Sequence, residues 1–194
     1  MGAVPRFIIS KDYGGTNSWY VYHASVGNTH ALRLDTNGSN DDSTGYWNDT
    51  TPTSSVYTVG DNSGTNDTDT MVSYVFADVQ GFSKFGSYVG NANNNGPFAF
   101  LGFRPAWLVI KNHGEAEGWY IWDSKRLGYN ADNNTLRTDH DGAAGTGNYV
   151  DLLSNGFKIT DTNAAFNRTG TAYSYMAFAE APFVNSNGVP CNAR

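Results

Sequence analysis

Pro5-Arg6-Phe7-Ile8-Ile9-Ser10-Lys11 returns 100 residues later as Pro105-Ala106-Trp107-Leu108-Val109-Ile110-Lys111. The same shift carries Trp19-Tyr20-Val21-Tyr22 onto Trp119-Tyr120-Ile121-Trp122, and Val56-Tyr57-Thr58-Val59 onto Gly156-Phe157-Lys158-Ile159. With small slips, Leu32-Arg33-Leu34-Asp35 meets Leu136-Arg137-Thr138-Asp139, and Phe76-Ala77-Asp78 meets Phe178-Ala179-Glu180. Five blocks keep one order, and the gaps fall in Asn-, Gly- and Thr-rich stretches. That is the mark of a diverged internal duplication.

Each block reads as a strand. In the first, Phe7 and Ile9 face one side and Ile8 the other; in its partner, Trp107 and Val109 oppose Leu108 and Ile110. Apolar residues on both faces suit a central, doubly buried strand, and Pro5 and Pro105 stand at strand starts, where no ladder donor is lost. In the second block Trp19 and Val21 face one way, Tyr20 and Tyr22 the other. The blocks are divided by turn-forming runs such as Asp12-Tyr13-Gly14-Gly15-Thr16-Asn17. This rhythm predicts an all-β protein of two related antiparallel sandwich repeats, jelly-roll or concanavalin-like. Residues 1–80 form the first repeat, 81–183 the second and 184–194 a polar tail. Phe85–Val89 and Pro97–Leu101 read as two opening strands for which the first repeat has no counterpart. The first repeat is therefore expected to be truncated: either the natural protein continues upstream, or something else covers the exposed edge, for which a neighbouring subunit of a homo-oligomer is one candidate.

Composition agrees. Aromatics make up 14% of 194 residues and Gly plus Pro number 22 and 6, a mix that favours short strands and tight turns over helices. The formal net charge is −6 without any Lys/Arg cluster, which argues against nucleic acid as a partner. Cys191 is the single cysteine, so neither an internal disulfide nor a multi-cysteine zinc site is available. No run of residues reads as a membrane-spanning helix, and the first residues lack the basic and apolar regions of a signal peptide.

Trp19-Tyr20-Val21-Tyr22-His23-Ala24-Ser25, the run Gly45-Tyr46-Trp47-Asn48-Asp49-Thr50-Thr51-Pro52-Thr53-Ser54-Ser55-Val56, the run from Phe76 through Gly81-Phe82-Ser83 to Tyr88, and Gly102-Phe103-Arg104-Pro105-Ala106-Trp107 together resemble a tandem β-domain of virion and tail-associated proteins from tailed marine phages and related metagenomic sequences. The resemblance covers almost the whole chain, and Ala181-Pro182-Phe183 looks like that family's usual C-terminus. It implies a structural or adhesion protein of the virion or extracellular surface, with other virion proteins or host-surface glycans as partners and no catalytic residues to carry over. The departure is the missing opening of the first repeat, where family members have a Gly-rich segment and a strand; this leaves open whether the chain is a whole gene product or a fragment.

Residues matched between the repeats serve the fold, and unmatched ones are where a function can be added. By that test Trp19 and Trp119 are packing residues. Sugar recognition needs an exposed aromatic face with amide, carboxylate and hydroxyl groups beside it. Tyr46, Trp47, Asn48 and Asp49 are the first candidates, with the opposing reading that Trp47 plugs the sandwich where the second repeat has Leu152-Leu153. Tyr129, with Asn130 and Asp132, is a weaker candidate of the same kind. No cofactor is called for. The Asp35–Asp42 and Asp61–Asp69 loops collect oxygen ligands for a loose calcium site, but they lack the terminal Glu and flanking helices of a calcium hand. His23, His30, His113 and His140 show no zinc spacing. Glu115 and Glu117 sit in one turn and make a poor glycosidase pair, no Gly-x-Ser-x-Gly elbow is present, and Gly142–Gly147 reads as a loop. The leading expectation is a non-enzymatic virion surface module; the alternatives are a carbohydrate-binding, receptor-reading lectin domain and, third, a glycan hydrolase.

Overall fold

A computed structural model describes residues 2–126, 130 and 133–181. Tyr129, Asp132, Cys191 and the tail 184–194 lie outside these described residues. The chain is nearly all β, with antiparallel sheets arranged as a sandwich. In order, the elements are β1 (Phe7–Asp12), β2 (Tyr20–His23), β3 (His30–Arg33), β4 (Asp41–Asp42), the one-turn helix α1 (Thr44–Trp47), β5 (Met71–Phe76), β6 (Ser83–Val89) and β7 (Phe98–Phe100). There follow β8 (Pro105–Asn112), β9 (Trp119–Asp123), β10 (Asn133–Arg137), β11 (Gly145–Gly147), β12 (Val150–Leu153), β13 (Gly156–Ile159), the one-turn helix α2 (Ala164–Asn167) and β14 (Ala172–Ala179).

The first sheet runs β4-β3-β2-β1-β5, and the second runs β11-β10-β9-β8-β14-β6. Read from one edge, the two share their strand order through five strands, and β6 is an addition beyond β14. Registers repeat as well: Tyr20 pairs with Arg33, and Tyr120 with Arg137.

The alternation read in the strands decides how these sheets stack. Phe7, Ile9, Val21 and Leu32 of the first sheet meet Phe85, Trp107, Val109, Trp119 and Met176 of the second in one apolar cluster. Phe7 is the pivot, lying 5.8 Å from Phe85 and 6.4 Å from Trp119 between ring centroids. The opposite faces are covered separately. Ile8, Tyr22 and Ala31 pack under Tyr46 and Trp47 of α1. Leu108, Ile110, Trp122 and Tyr173 pack under a three-stranded sheet, β12-β13-β7, and Phe166 of α2.

One expected strand is absent. Val56–Val59, aligned with β13, has no strand conformation, and Val56 is exposed. A strand needs ladder partners. In the second half β13 has β12 on one side; the residues standing where β12 would lie in the first half are Thr50-Thr51-Pro52-Thr53, polar and interrupted by a proline without an N–H. The first half closes its outer face with α1 instead, capped by Ser43, whose side chain accepts from the Gly45 N–H. At the sheet's far side β5 is an edge strand, whereas its counterpart β14 takes β6 as a further neighbour.

Candidate functional site

Several polar groups are fixed alike in both halves. The Trp19 N–H donates to Asp35 and the Trp119 N–H to Asp139, each at 3.3 Å. Lys11 Nζ donates to the Asn17 carbonyl, and Lys111 Nζ to the Glu117 carbonyl. Asp12 and Asn112 each accept from the two backbone N–H groups that turn the chain after their strand. The Arg33 guanidinium lies 5.5 Å over the Tyr20 ring and that of Arg137 5.1 Å over Tyr120, within the range of a cation–π contact.

The two halves differ above those two arginines. In the first half the space is closed: the Tyr46 ring lies 5.2 Å from Tyr20, its hydroxyl accepts from Arg33 Nη2 at 3.2 Å and donates to Asp41 at 2.5 Å. Burial first, then the hydrogen bond to Asp41, pushes the Tyr46 phenol up to about 12. In the second half the corresponding space is a cleft of about 260 Å³. Tyr120, Tyr149 and Phe166 form its apolar side, Thr135, Arg137, His140 and Asn163 its polar side, and the Gly142–Gly145 turn its lip. Phe166 lies 4.5 Å from Tyr120 and 4.9 Å from Tyr149 between centroids, and holds both rings.

Each polar group of the cleft has a defined orientation. Arg137 pairs with Asp139 through Nε at 3.2 Å and Nη2 at 2.5 Å. Burial opposes the charge on Asp139, but the Arg137 hydrogen bond and its positive charge outweigh it and hold the carboxyl below its ordinary range. The His140 Nδ1 accepts from the Gly142 N–H at 2.7 Å, so a neutral ring carries its proton on Nε2. A Cβ added at Gly142 would meet the imidazole and displace this exposed ring from its position. Asn163 caps α2 with its Oδ1, which accepts from the Ala165 N–H at 2.9 Å; its Nδ2 hydrogens remain on the other arm of the amide.

The residues singled out from sequence fall elsewhere. Tyr46 and Trp47 are 3% and 1% exposed and cannot offer a face to a sugar. Trp47 lies edge-on to Tyr22 at 5.9 Å and donates from Nε1 to the His30 carbonyl at 3.0 Å. Phe166 stands edge-on to Trp122, the sequence match of Tyr22, at 5.3 Å in the same manner. Asn48 and Asp49 are exposed at the helix end with φ of 49° and 45°. Asn130 pins β12, exchanging both amide hydrogen bonds with the Leu152 backbone. Tyr129 lies outside the described residues. Trp19 departs from the packing role expected of it: 36% exposed, it lines a shallow groove of about 190 Å³ with Leu34, Asp35 and Thr138.

In the acidic loops Asp35 and Asp41 already accept from Trp19, Arg33 and Tyr46. Among the described residues no group of three or more His, Cys, Asp or Glu side chains is gathered for a metal, and no helix is long and apolar enough to cross a membrane. Gly142–Gly147, read as a loop, ends in β11, which pairs with β10 and closes the cleft's lip. The cleft was signalled in sequence only by the enlarged slip between Leu32 and Leu136, which marks where the second half differs in length. A family profile described as a domain of unknown function, DUF7483, matches residues 1–182. No curated protein and no solved structure matches the chain.

Proposed function

The chain belongs to the DUF7483 family, and we propose that it serves as a non-enzymatic surface module of a tailed-phage virion, a tail-fibre, tail-associated or capsid-surface component that packs and adheres. In this reading the two halves are copies of one antiparallel domain, and the second keeps the opening strands β6 and β7. The observation that carries it is the repeated strand order, with the matched Trp, Tyr, Arg and Lys groups bonded to the protein's own frame in both halves. Backbone and lysine contacts repeated at matched positions suit architecture. The virion setting comes from the sequence resemblance alone. Polar, weakly charged loops on a stiff β frame suit contact with virion neighbours or a host surface.

Immunogold labelling of purified phage particles whose genome encodes the chain tests this. Gold on the capsid or tail is the expected result. A chain absent from purified particles and confined to the infected cell contradicts it.

The cleft favours a second reading, a carbohydrate-binding receptor reader. Binding on a glycan array, weakened by substitutions in the cleft, is its test. A glycan hydrolase takes third place: it needs two carboxylates facing each other about 5–9.5 Å apart, and the residues lining the cleft contribute none.

A further inference from the structure

We infer that the cleft above Arg137 binds a single sugar ring that carries a carboxylate. This deepens the glycan-recognition reading and rests on it for its biological setting. The first half indicates what belongs there. Tyr20 and Arg33 occupy the same register positions as Tyr120 and Arg137. Over Tyr20 lies a six-membered ring, that of Tyr46, whose oxygen meets the guanidinium. Over Tyr120 stands Phe166, edge-on at 4.5 Å between centroids, which brings no oxygen to Arg137, and the space beside that guanidinium is left open.

The size and the chemistry of the lining narrow the class. A volume of about 260 Å³ lies below the range of drug-sized pockets and suits one ring. Tyr120 and Tyr149 offer aromatic surface, on which the apolar face of a sugar packs. On the polar side the Thr135 hydroxyl already donates to the Gly145 carbonyl, and the three other groups present donors. Arg137 has only donors, His140 presents Nε2–H because Nδ1 accepts from Gly142, and Asn163 presents Nδ2 because Oδ1 caps α2. The nearby carboxylate, Asp139, is turned to Arg137 and to the Trp119 N–H. Neutral sugar hydroxyls require acceptors as well as donors. A carboxylate only accepts, and charged hydrogen bonds to it are the strong ones. The net charge of −6 gives such a ligand no long-range attraction, so recognition has to come from these local donors.

The test titrates the purified chain with glucuronic acid, glucose and acetate, following the amide NMR signals of Gly142 and Gly145. Glucuronic acid is expected to shift both and to bind at least about tenfold more tightly than glucose or acetate, the value of one charge-assisted hydrogen bond. Asn163→Asp keeps the capping oxygen and replaces the donor with a negative acceptor; it should weaken glucuronic acid about tenfold or more while the thermal midpoint holds. Should that variant unfold, His140→Phe removes a donor from an exposed position and is expected to weaken binding likewise. Equal affinity for glucose removes the carboxylate from the inference, and equal affinity for acetate removes the sugar. Shifts elsewhere, no binding, or undiminished binding by both variants overturns the site. A glycan array that still binds the chain in that event leaves the adhesion reading standing.

Discussion

The indole N–H of Trp119 in the second sheet donates to the backbone carbonyl of Arg33 in the first at 2.7 Å. Trp19, its match in sequence, reaches no comparable place: it lies at a surface groove and is 36% exposed, against 2% for Trp119. The two differ because Trp119 lies at the seam where the sheets meet face to face and is enclosed from both sides.

Trp119→Ala is therefore expected to cost about 3–5 kcal/mol, the range for truncating a buried aromatic. Trp19→Ala should cost less than about 1 kcal/mol. Trp119→Phe keeps much of the ring and loses the hydrogen bond, an intermediate loss of about 1–3 kcal/mol. Urea unfolding of the three variants checks the ranking; equal costs for the two alanine substitutions would contradict the distinction between them.

Acid should destabilise the fold through His23. Its ring is buried, accepts from the Ser25 N–H on Nδ1 and donates from Nε2 to the Tyr175 carbonyl. Burial pushes its pKa down to about 4 from an ordinary 6.5. The unfolded chain takes up the proton first, so the stability held above pH 6.5 falls as pH drops toward 4, by about 3 kcal/mol in all. Denaturant midpoints at intervals across that window measure the slope, and His23→Asn should flatten it. An unchanged slope in the variant assigns the loss to other groups.

Trp47→Ala is expected to cost about 3–5 kcal/mol, since the side chain is enclosed against Tyr22. In the fraction that remains folded, glycan binding should be unaffected. Differential scanning calorimetry alongside the array separates these effects. A variant of normal stability that has lost binding would restore Trp47 as a contact residue.

Two glycines differ in what they tolerate. A Cβ on Gly156 would lie against the Ala99 carbonyl between β13 and β7, while Gly170, at φ 74°, has nothing within 4 Å of an added Cβ. Gly156→Ala has to push β13 away from β7 and should cost about 3 kcal/mol or more. Gly170→Ala incurs only the left-handed backbone penalty of about 1–2 kcal/mol. Thermal unfolding gives the order, and a reversed order would contradict the register of β7 on β13.

The strands were legible because period-two alternation reports which face each residue takes. Phe7 and Ile9 against Ile8, and Trp107 and Val109 against Leu108 and Ile110, all lie on the predicted sides. The partner of each face was not legible, because an apolar face names no particular neighbour. Trp47 admits two readings for that reason, an exposed sugar contact or a plug: Gly45 and the threonines around it read as loop, while one capped helical turn folds the ring inward over Tyr22, as the plug reading has it. The cleft is hidden in the sequence because its residues come from β9, β10, the Gly142 turn and α2, and are gathered only by the fold. The slip between Leu32 and Leu136 is its one trace in the sequence, and Arg137, matched to Arg33, reads there as shared architecture.

The face-to-face packing of the two sheets is tested most directly by nuclear Overhauser contacts between aromatic rings. The Phe7 ring should show cross-peaks to the rings of Trp119 and Phe85, which lie 6.4 and 5.8 Å away between centroids. Cross-peaks confined to residues 1–80 on one side and 81–183 on the other would mean two separate lobes and would contradict it.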